Sequence, residues 1–212
     1  MLILDCKNES HLIKCKKIIK NGGIIVYPTD TIYGLGCDPY NKQALEKIFK
    51  IKKRILDKPL PILTCDISYV EKIISLNVIG RKLAKNFWPG PLTIIGNLID
   101  NTIPEILTSG KKTVGIRIPN NIITLNLLKY CKYLVGTSAN ISNESSCITA
   151  KEVMKSKLEG YDAILIGDDD IPMNPFSFKG STIIDISTHN LQIIREGVIK
   201  SETIYEILYQ PK

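Results

Sequence analysis

Arginine is rare inside apolar strands, yet Arg117 sits in "VGIRIP" and Arg195 in "IIREG". Each needs a partner: solvent at a sheet edge, or an anion in a cleft. Ser181, in "GSTIID", adds a hydroxyl on a similar strand. A denser cluster lies in "KIKKRILDKPL", where Lys50, Lys52, Lys53, Arg54 and Lys58 fall within nine positions. At helical spacing 50, 54 and 58 share one face, and Lys52 and Lys53 point elsewhere. Pro59 stops the helix, which puts Lys58 in a turn. Such a block serves as a phosphate clamp, with Arg supplying a planar fork and Lys a point charge. It is equally what the macrodipole favours at a helix C-terminus without any ligand.

Two polar loops carry the remaining chemistry. "YPTDTIYGLGCD", Tyr27 to Asp38, follows a buried apolar run. Pro28 fixes φ and removes a donor, while Thr29, Asp30 and Thr31 present hydroxyls and a carboxylate. Gly34 and Gly36 permit close backbone approach or positive φ. The spacing is neither GxGxxG nor GxxxxGK[ST], so it supports neither a Rossmann fingerprint nor a P-loop. A turn with self-capping threonines fits it too. "LVGTSANIS", 134–142, ends a strand in glycine and continues with Thr137, Ser138, Ala139, Asn140 and Ser142. Hydroxyls, an amide and exposed N–H groups at a strand end hold phosphate or carboxylate oxygens, or bond to themselves in an Asx-type turn. Asp168, Asp169 and Asp170 form either a Mg²⁺ contact or a solvated acidic loop.

The absences narrow the chemistry. His11 and His189 are far apart in sequence. "GTSAN" is not GxSxG and no histidine is placed to activate a serine, which disfavours a serine hydrolase. Cys6, Cys15, Cys37, Cys65, Cys131 and Cys147 are scattered without a CxxC pair; reduced thiols in a cytosolic protein are the plain expectation, not a zinc site. No paired-carboxylate site is evident. An inventory of Arg, Lys, Ser, Thr and Asn suits reactions dominated by positioning and charge stabilisation, as in phosphoryl or nucleotidyl transfer.

The elements that must position these groups follow from periodicity. Residues 2–5 read as an edge strand. Ser10 caps a helix to about Asn21, ended by Gly22 and Gly23. Strand 24–27 leads into the first polar loop, and Asn41 caps a helix with Ala44, Leu45, Ile48, Phe49 and Ile51 inward. Strand 60–64, helices near 67–75 and 77–87, and a Pro-Gly turn into an apolar strand ("FWPGPLTIIGNLI") come next. Then follow strand 113–118, helix 121–131, strand 133–137, a helix near 149–158, and strand 163–167. Strands 181–187 and 191–195 are close enough to form a hairpin, and Ser201 caps a terminal helix. Residues 167–180 read as a functional lid or a surface loop. Strands alternating with helices predict one α/β domain over 1–212, built on an open, twisted mixed sheet with flanking helices.

The chain has 212 residues, 44% hydrophobic and 23% charged, ordinary values for a globular protein with a real core. No apolar run approaches the roughly 18 residues of a membrane helix, and the N-terminus has no basic n-region of a secretory signal. Cytoplasm, with no membrane partner, is the default. A net charge of +7 favours an anionic partner such as a nucleotide, pyrophosphate or RNA, or reflects a lysine-rich chain with solvated faces.

In order, these segments resemble the YrdC family of threonylcarbamoyl-AMP synthases. "YPTDTIYGLGCD" looks like its signature, and "KKRILDKPLPIL", "FWPGPLTII", "VGIRIP", "GTSANIS", "STIIDIS" and "IIREGVI" match its later blocks, from about residue 10 to 200. The resemblance implies a YrdC-like fold in the short, single-domain form. The implied reaction makes L-threonylcarbamoyladenylate from L-threonine, bicarbonate and ATP, releasing pyrophosphate. Mg²⁺ would accompany ATP without a dedicated protein site. The product would pass to a tRNA threonylcarbamoyl transferase complex for N6-threonylcarbamoyladenosine, and the implied fold has a positively charged concave face, for which RNA is one candidate partner.

Carried over by position, Thr31, Leu63, Arg117, Thr137 and Ser181 would form the L-threonine pocket. Arg54 and Lys58 would hold ATP phosphates, helped by Lys52; Thr113, Ser138, Ala139, Asn140 and Arg195 would complete the nucleotide site. Lys52, Arg54 and Arg117 would be the catalytic cations, and Asp30 has no assigned role. Two departures stand out: Ile55 and Gly180 occupy positions where the family usually has proline. Two other functions compete. One is a non-catalytic RNA-binding module, though aromatics are not interleaved with the basic runs. The other is a carbamoyl-adenylating enzyme like the related hydrogenase-maturation domain.

Overall fold

Short apolar runs form the strands, and lysine-rich amphipathic runs form the helices that pack on them. The computed structural model describes residues 1–167, 179–188 and 190–209. In chain order the elements are β1 (Leu2–Asp5), α1 (Glu9–Lys20), β2 (Ile25–Tyr27), β3 (Gly34–Gly36), α2 (Lys42–Lys52), β4 (Ile62–Thr64), α3 (Ile67–Ile73), β5 (Ile74–Ser75), α4 (Val78–Phe87) and β6 (Leu92–Leu98). They continue as α5 (Glu105–Thr108), β7 (Thr113–Arg117), α6 (Ile122–Cys131), β8 (Tyr133–Val135), β9 (Thr137–Ser138), α7 (Ala150–Lys155), β10 (Ala163–Ile166), β11 (Thr182–Asp185), β12 (Gln192–Arg195) and α8 (Ser201–Tyr209). Among the described residues no helix is long and apolar enough to cross a membrane.

The mixed α/β class holds, but the strands divide between two sheets. One has the order β1-β10-β2-β3-β9; the other runs β12-β11-β6-β7-β4-β8, with β5 also paired to β6. The division comes at Gly136. The expected strand 133–137 begins as β8 beside β4 and ends as β9 beside β3. "YGLG", read from sequence as loop, folds back as β3 on β2. The two polar segments therefore pair with each other, Gly34 opposite Ser138 and Leu35 opposite Thr137.

Glycines make this junction possible. A Cβ on Gly34 would lie 2.7 Å from the Tyr27 ring, and one on Gly136 would lie 2.6 Å from Leu63 Cγ. Close approach, not positive φ, is what these positions require. Tyr27 Oη then donates to the Val135 carbonyl at 2.7 Å, tying the two sheets. Tyr27 and Leu63 belong to a core cluster with Leu12, Cys15 and Ile19 of α1 and Leu127 and Leu128 of α6.

Several ends differ from the periodicity. Asn8, not Ser10, caps α1: its Oδ1 accepts the Ser10 N–H at 3.0 Å and the Ser10 hydroxyl at 2.6 Å. Helix 67–75 stops at Ile73 because Ile74 and Ser75 pair with β6. The cap of α2 is Asn41, as its sequence predicts, but the helix ends at Lys52. Lys53 adopts φ 50°, and the Arg54 N–H closes on the Phe49 carbonyl at 2.9 Å, the wrap of a Schellman motif. Lys50, Arg54 and Lys58 therefore do not share a helical face. The predicted hairpin is present as β11 and β12, and β11 also runs parallel to β6.

Candidate functional site

Where the two sheets meet, a cavity of about 240 Å³ opens. Its walls include Thr29, Thr31, Arg54, Leu63, Arg117, Thr137, Ser138, Ser181 and Arg195. All five residues carried over for the amino acid lie on it, with three of those carried over for the nucleotide. The β2–β3 loop is held by its own threonines: Thr29 Oγ1 donates to the Ile32 carbonyl at 2.6 Å and accepts the Thr31 N–H at 3.1 Å. The self-capping turn and the ligand-facing loop are thus the same structure. Thr31, only 5% exposed, is aimed inward by it.

Arg117 ends β7 and is buried. Nε donates to the Gly90 carbonyl at 2.9 Å, Nη1 to Thr31 Oγ1 at 3.2 Å and Nη2 to Asp30 Oδ1 at 2.5 Å. A guanidinium has five N–H groups, so two remain for a ligand among the described residues. The Asp30–Arg117 ion pair is 9% and 7% exposed. Asp30 thereby orients the arginine and balances its charge. Sequence pattern could not reveal the partnership, because the residues are 87 positions apart. Asp30 Oδ2 is buried without a hydrogen-bond partner among the described residues.

Arg195 donates through Nε and Nη2 to the Ser181 carbonyl, at 3.1 and 2.7 Å. Burial, then the charge of Arg117, lowers its pKa. Gly180 has φ +70° and a Cβ there would meet Arg195 Nη2 at 3.3 Å. Proline, locked near −65°, cannot adopt that φ, so glycine in the family's usual proline position gives the loop a different path. Arg54 turns inward after α2 and donates to the Lys58 and Pro59 carbonyls at 3.0 and 2.9 Å; burial lowers its pKa as well. Both arginines thus bond to carbonyls, and their charge is available to an anion. Ile55 is exposed and off the cavity wall.

Lys52 is not placed as a phosphate ligand. It lies on the inner face of α2, 1% exposed, and its Nζ donates to the Ser138 and Asn140 carbonyls at 2.5 and 2.7 Å. It is a positioning residue that pins the "TSAN" turn from beneath. Burial, then the charge of Arg54, pushes its pKa from 10.5 down to about 7. Between those values the unfolded chain keeps a proton that the folded chain has released, so this group makes stability rise with pH. We expect the urea midpoint of the parent to gain on that of Lys52→Met from pH 7 to pH 10; parallel profiles would contradict this. The buried thiols are common to both proteins and cancel.

Other carried-over residues also fall off the cavity wall. Thr113 sits at the far end of β7 from Arg117. Lys58 is exposed. The Ala139 N–H is taken by the Tyr33 carbonyl at 2.8 Å and the Asn140 N–H by the Ser138 carbonyl at 3.0 Å, so neither is open to a phosphate. The Asn140 amide donates to the Ile141 and Glu144 carbonyls, the self-bonded turn reading. Conversely, Thr93, Ser146, Lys179 and Ile183 line the cavity without having been singled out; Thr93 lies in an apolar strand pattern that hides its orientation. Asp168, Asp169 and Asp170, most of loop 167–180, and His189 lie outside the described residues.

A family model named Sua5/YciO/YrdC and described as "Telomere recombination" matches residues 17–197. A Methanocaldococcus jannaschii relative is 40% identical over 184 residues, covering 87% of this chain and 84% of that one. The threonylcarbamoyl-AMP synthase of Vibrio vulnificus is 31% identical over 192 residues, 89% of this chain and 99% of that one. The crystal structure of P. abyssi Sua5 complexed with L-threonine superposes with a TM-score of 0.89 at 27% identity, covering all of this chain. The chain spans 62% of that protein's length.

Proposed function

Because this chain belongs to the Sua5/YciO/YrdC family, we propose that it is a threonylcarbamoyl-AMP synthase. It joins L-threonine, bicarbonate and ATP into L-threonylcarbamoyladenylate and releases pyrophosphate. The observation that carries this reading is the convergence of Thr31, Leu63, Arg117, Thr137 and Ser181 with Arg54 and Arg195 on one cavity. The carboxylate of L-threonine takes the open N–H groups of Arg117, and Thr31 and Thr137 hold the amino acid against the Leu63 wall. Arg54 and Arg195 face the triphosphate.

The chemistry needs cations more than bases. The substrate amine attacks the bicarbonate carbon and water leaves, which gives a carbamate; a carbamate oxygen then attacks the α-phosphate and expels pyrophosphate. Nucleophile and target are both anions. Fixed guanidinium groups on the cavity wall offset that repulsion without reorganising, and holding the reactants together lowers the entropic barrier. No enzyme nucleophile is required. The described lining carries no carboxylate, so a Mg²⁺ entering with ATP would be held by the phosphates and neutralise their charge. The product, an activated acyl-adenylate, passes to a tRNA threonylcarbamoyl transferase complex in the cytoplasm.

Pyrophosphate release with ATP, bicarbonate and each amino acid in turn tests the assignment. L-threonine is expected to stimulate release well above L-serine or no amino acid. Equal rates would sink the substrate assignment. Release dependent on carbamoyl phosphate would favour the hydrogenase-maturation type of chemistry. RNA retention by Arg54 and Arg117 variants, with no release from the parent, would favour an RNA-binding module.

A further inference from the structure

Thr93 lines the cavity without a role in the scheme above. Its strand, β6, lies between β11 and β7. Thr93 pairs with Ile183 of β11, and the antiparallel register that sets Ile94 against Ile116 brings Thr93 opposite Arg117. It is 3% exposed and lines the cavity. A Cβ on Gly115 would stand 3.2 Å from Thr93 Cγ2, so the bare glycine leaves room for the methyl group. Oγ1 lies 2.9 Å from Ser181 Oγ. Arg195 Nη2 donates to the same serine oxygen at 3.3 Å.

The proton count of this group points to a ligand. Thr93 and Ser181 hold two hydroxyl protons and use one between them. Arginine donates and never accepts, so Arg195 takes neither. Among the described residues neither hydroxyl has a further acceptor. Among the described residues one O–H at the cavity wall is therefore left without an acceptor, and a nearly buried donor without a partner is costly. The open N–H groups of Arg117 and the charge of Arg195 draw an anionic oxygen to the same spot.

We propose that Thr93 is a further residue of the amino-acid site, whose hydroxyl pair with Ser181 donates a hydrogen bond to a carboxylate oxygen of the bound amino acid beside Arg117. The inference rests on the synthase reading for the identity of that amino acid. Calorimetric titration of L-threonine and, separately, of ATP into the parent, Thr93→Val and Thr93→Ser tests it. Thr93→Val keeps the shape and removes the hydroxyl; Thr93→Ala replaces it if the valine protein does not fold. We expect L-threonine to bind the valine or alanine protein about tenfold or more weakly, as for a lost hydrogen bond to a charged group. ATP affinity should stay within about twofold, and Thr93→Ser should recover most of the loss. Unchanged L-threonine binding in the hydroxyl-free variant, no recovery in Thr93→Ser, or an equal loss for ATP overturns the assignment. A parent that binds ATP but no L-threonine overturns both this inference and the synthase reading, whereas the three preceding results strike Thr93 alone.

Discussion

Arg117→Ala is expected to abolish efficient use of L-threonine and to destabilise the protein at the same time. Two effects combine. The substrate carboxylate loses its charged donors, worth about 2–4 kcal/mol, or roughly 30- to 700-fold in the apparent KM for L-threonine. Asp30, whose side chain is 9% exposed, is left buried without its cation, which typically costs about 3–5 kcal/mol. The double change Asp30→Ala with Arg117→Met separates them. It removes both charges, so the urea midpoint should recover much of the loss while L-threonine use stays poor. The KM for ATP should move far less than that for L-threonine. A double variant no more stable than Arg117→Ala would contradict the pairing as the source of the instability.

Arg54→Ala is expected to show the opposite preference: the KM for ATP rises about 10- to 100-fold, as for a lost charge-assisted contact to phosphate, and that for L-threonine changes little. Arg54 also ties the Lys58 and Pro59 carbonyls, so some loss of order in that turn accompanies it. Arg54→Lys should not rescue, because lysine lacks the planar fork that binds both carbonyls and phosphate. Equal effects of Arg54→Ala and Arg117→Ala on both substrates would sink the division of roles between the two arginines.

Much of the site was legible before the fold. Arg117 and Arg195 stood out because an arginine in an apolar strand demands an anion or solvent. The polar loops stood out because ordinary strand ends do not concentrate Thr, Ser, Asp and Asn. Both of those segments do reach the cavity, through Thr29, Thr31, Thr137 and Ser138. The basic block was legible as a cluster but not as a geometry. Its periodicity put Arg54 on a helix face shared with Lys50 and Lys58. The left-handed Lys53 ends the helix first and turns Arg54 inward instead. Lys52 is carried over as a catalytic cation assisting the ATP phosphates, yet it lies beneath the turn it pins, because the face it shares with Ile48 and Phe49 is the buried one.

The mixed α/β class, the order of most elements and the kinds of groups available (cations, hydroxyls and amides with no histidine base) were all readable from the residues in chain order. These are local properties, set by periodicity, caps and residue chemistry over a few turns of chain. Tertiary structure alone decided which groups face each other. The passage of one strand between two sheets at Gly136, the pairing of Asp30 with Arg117 and the meeting of Thr93 with Ser181 join residues far apart along the chain. Such contacts depend on strand register and sheet order, which are fixed by the packing of the whole core.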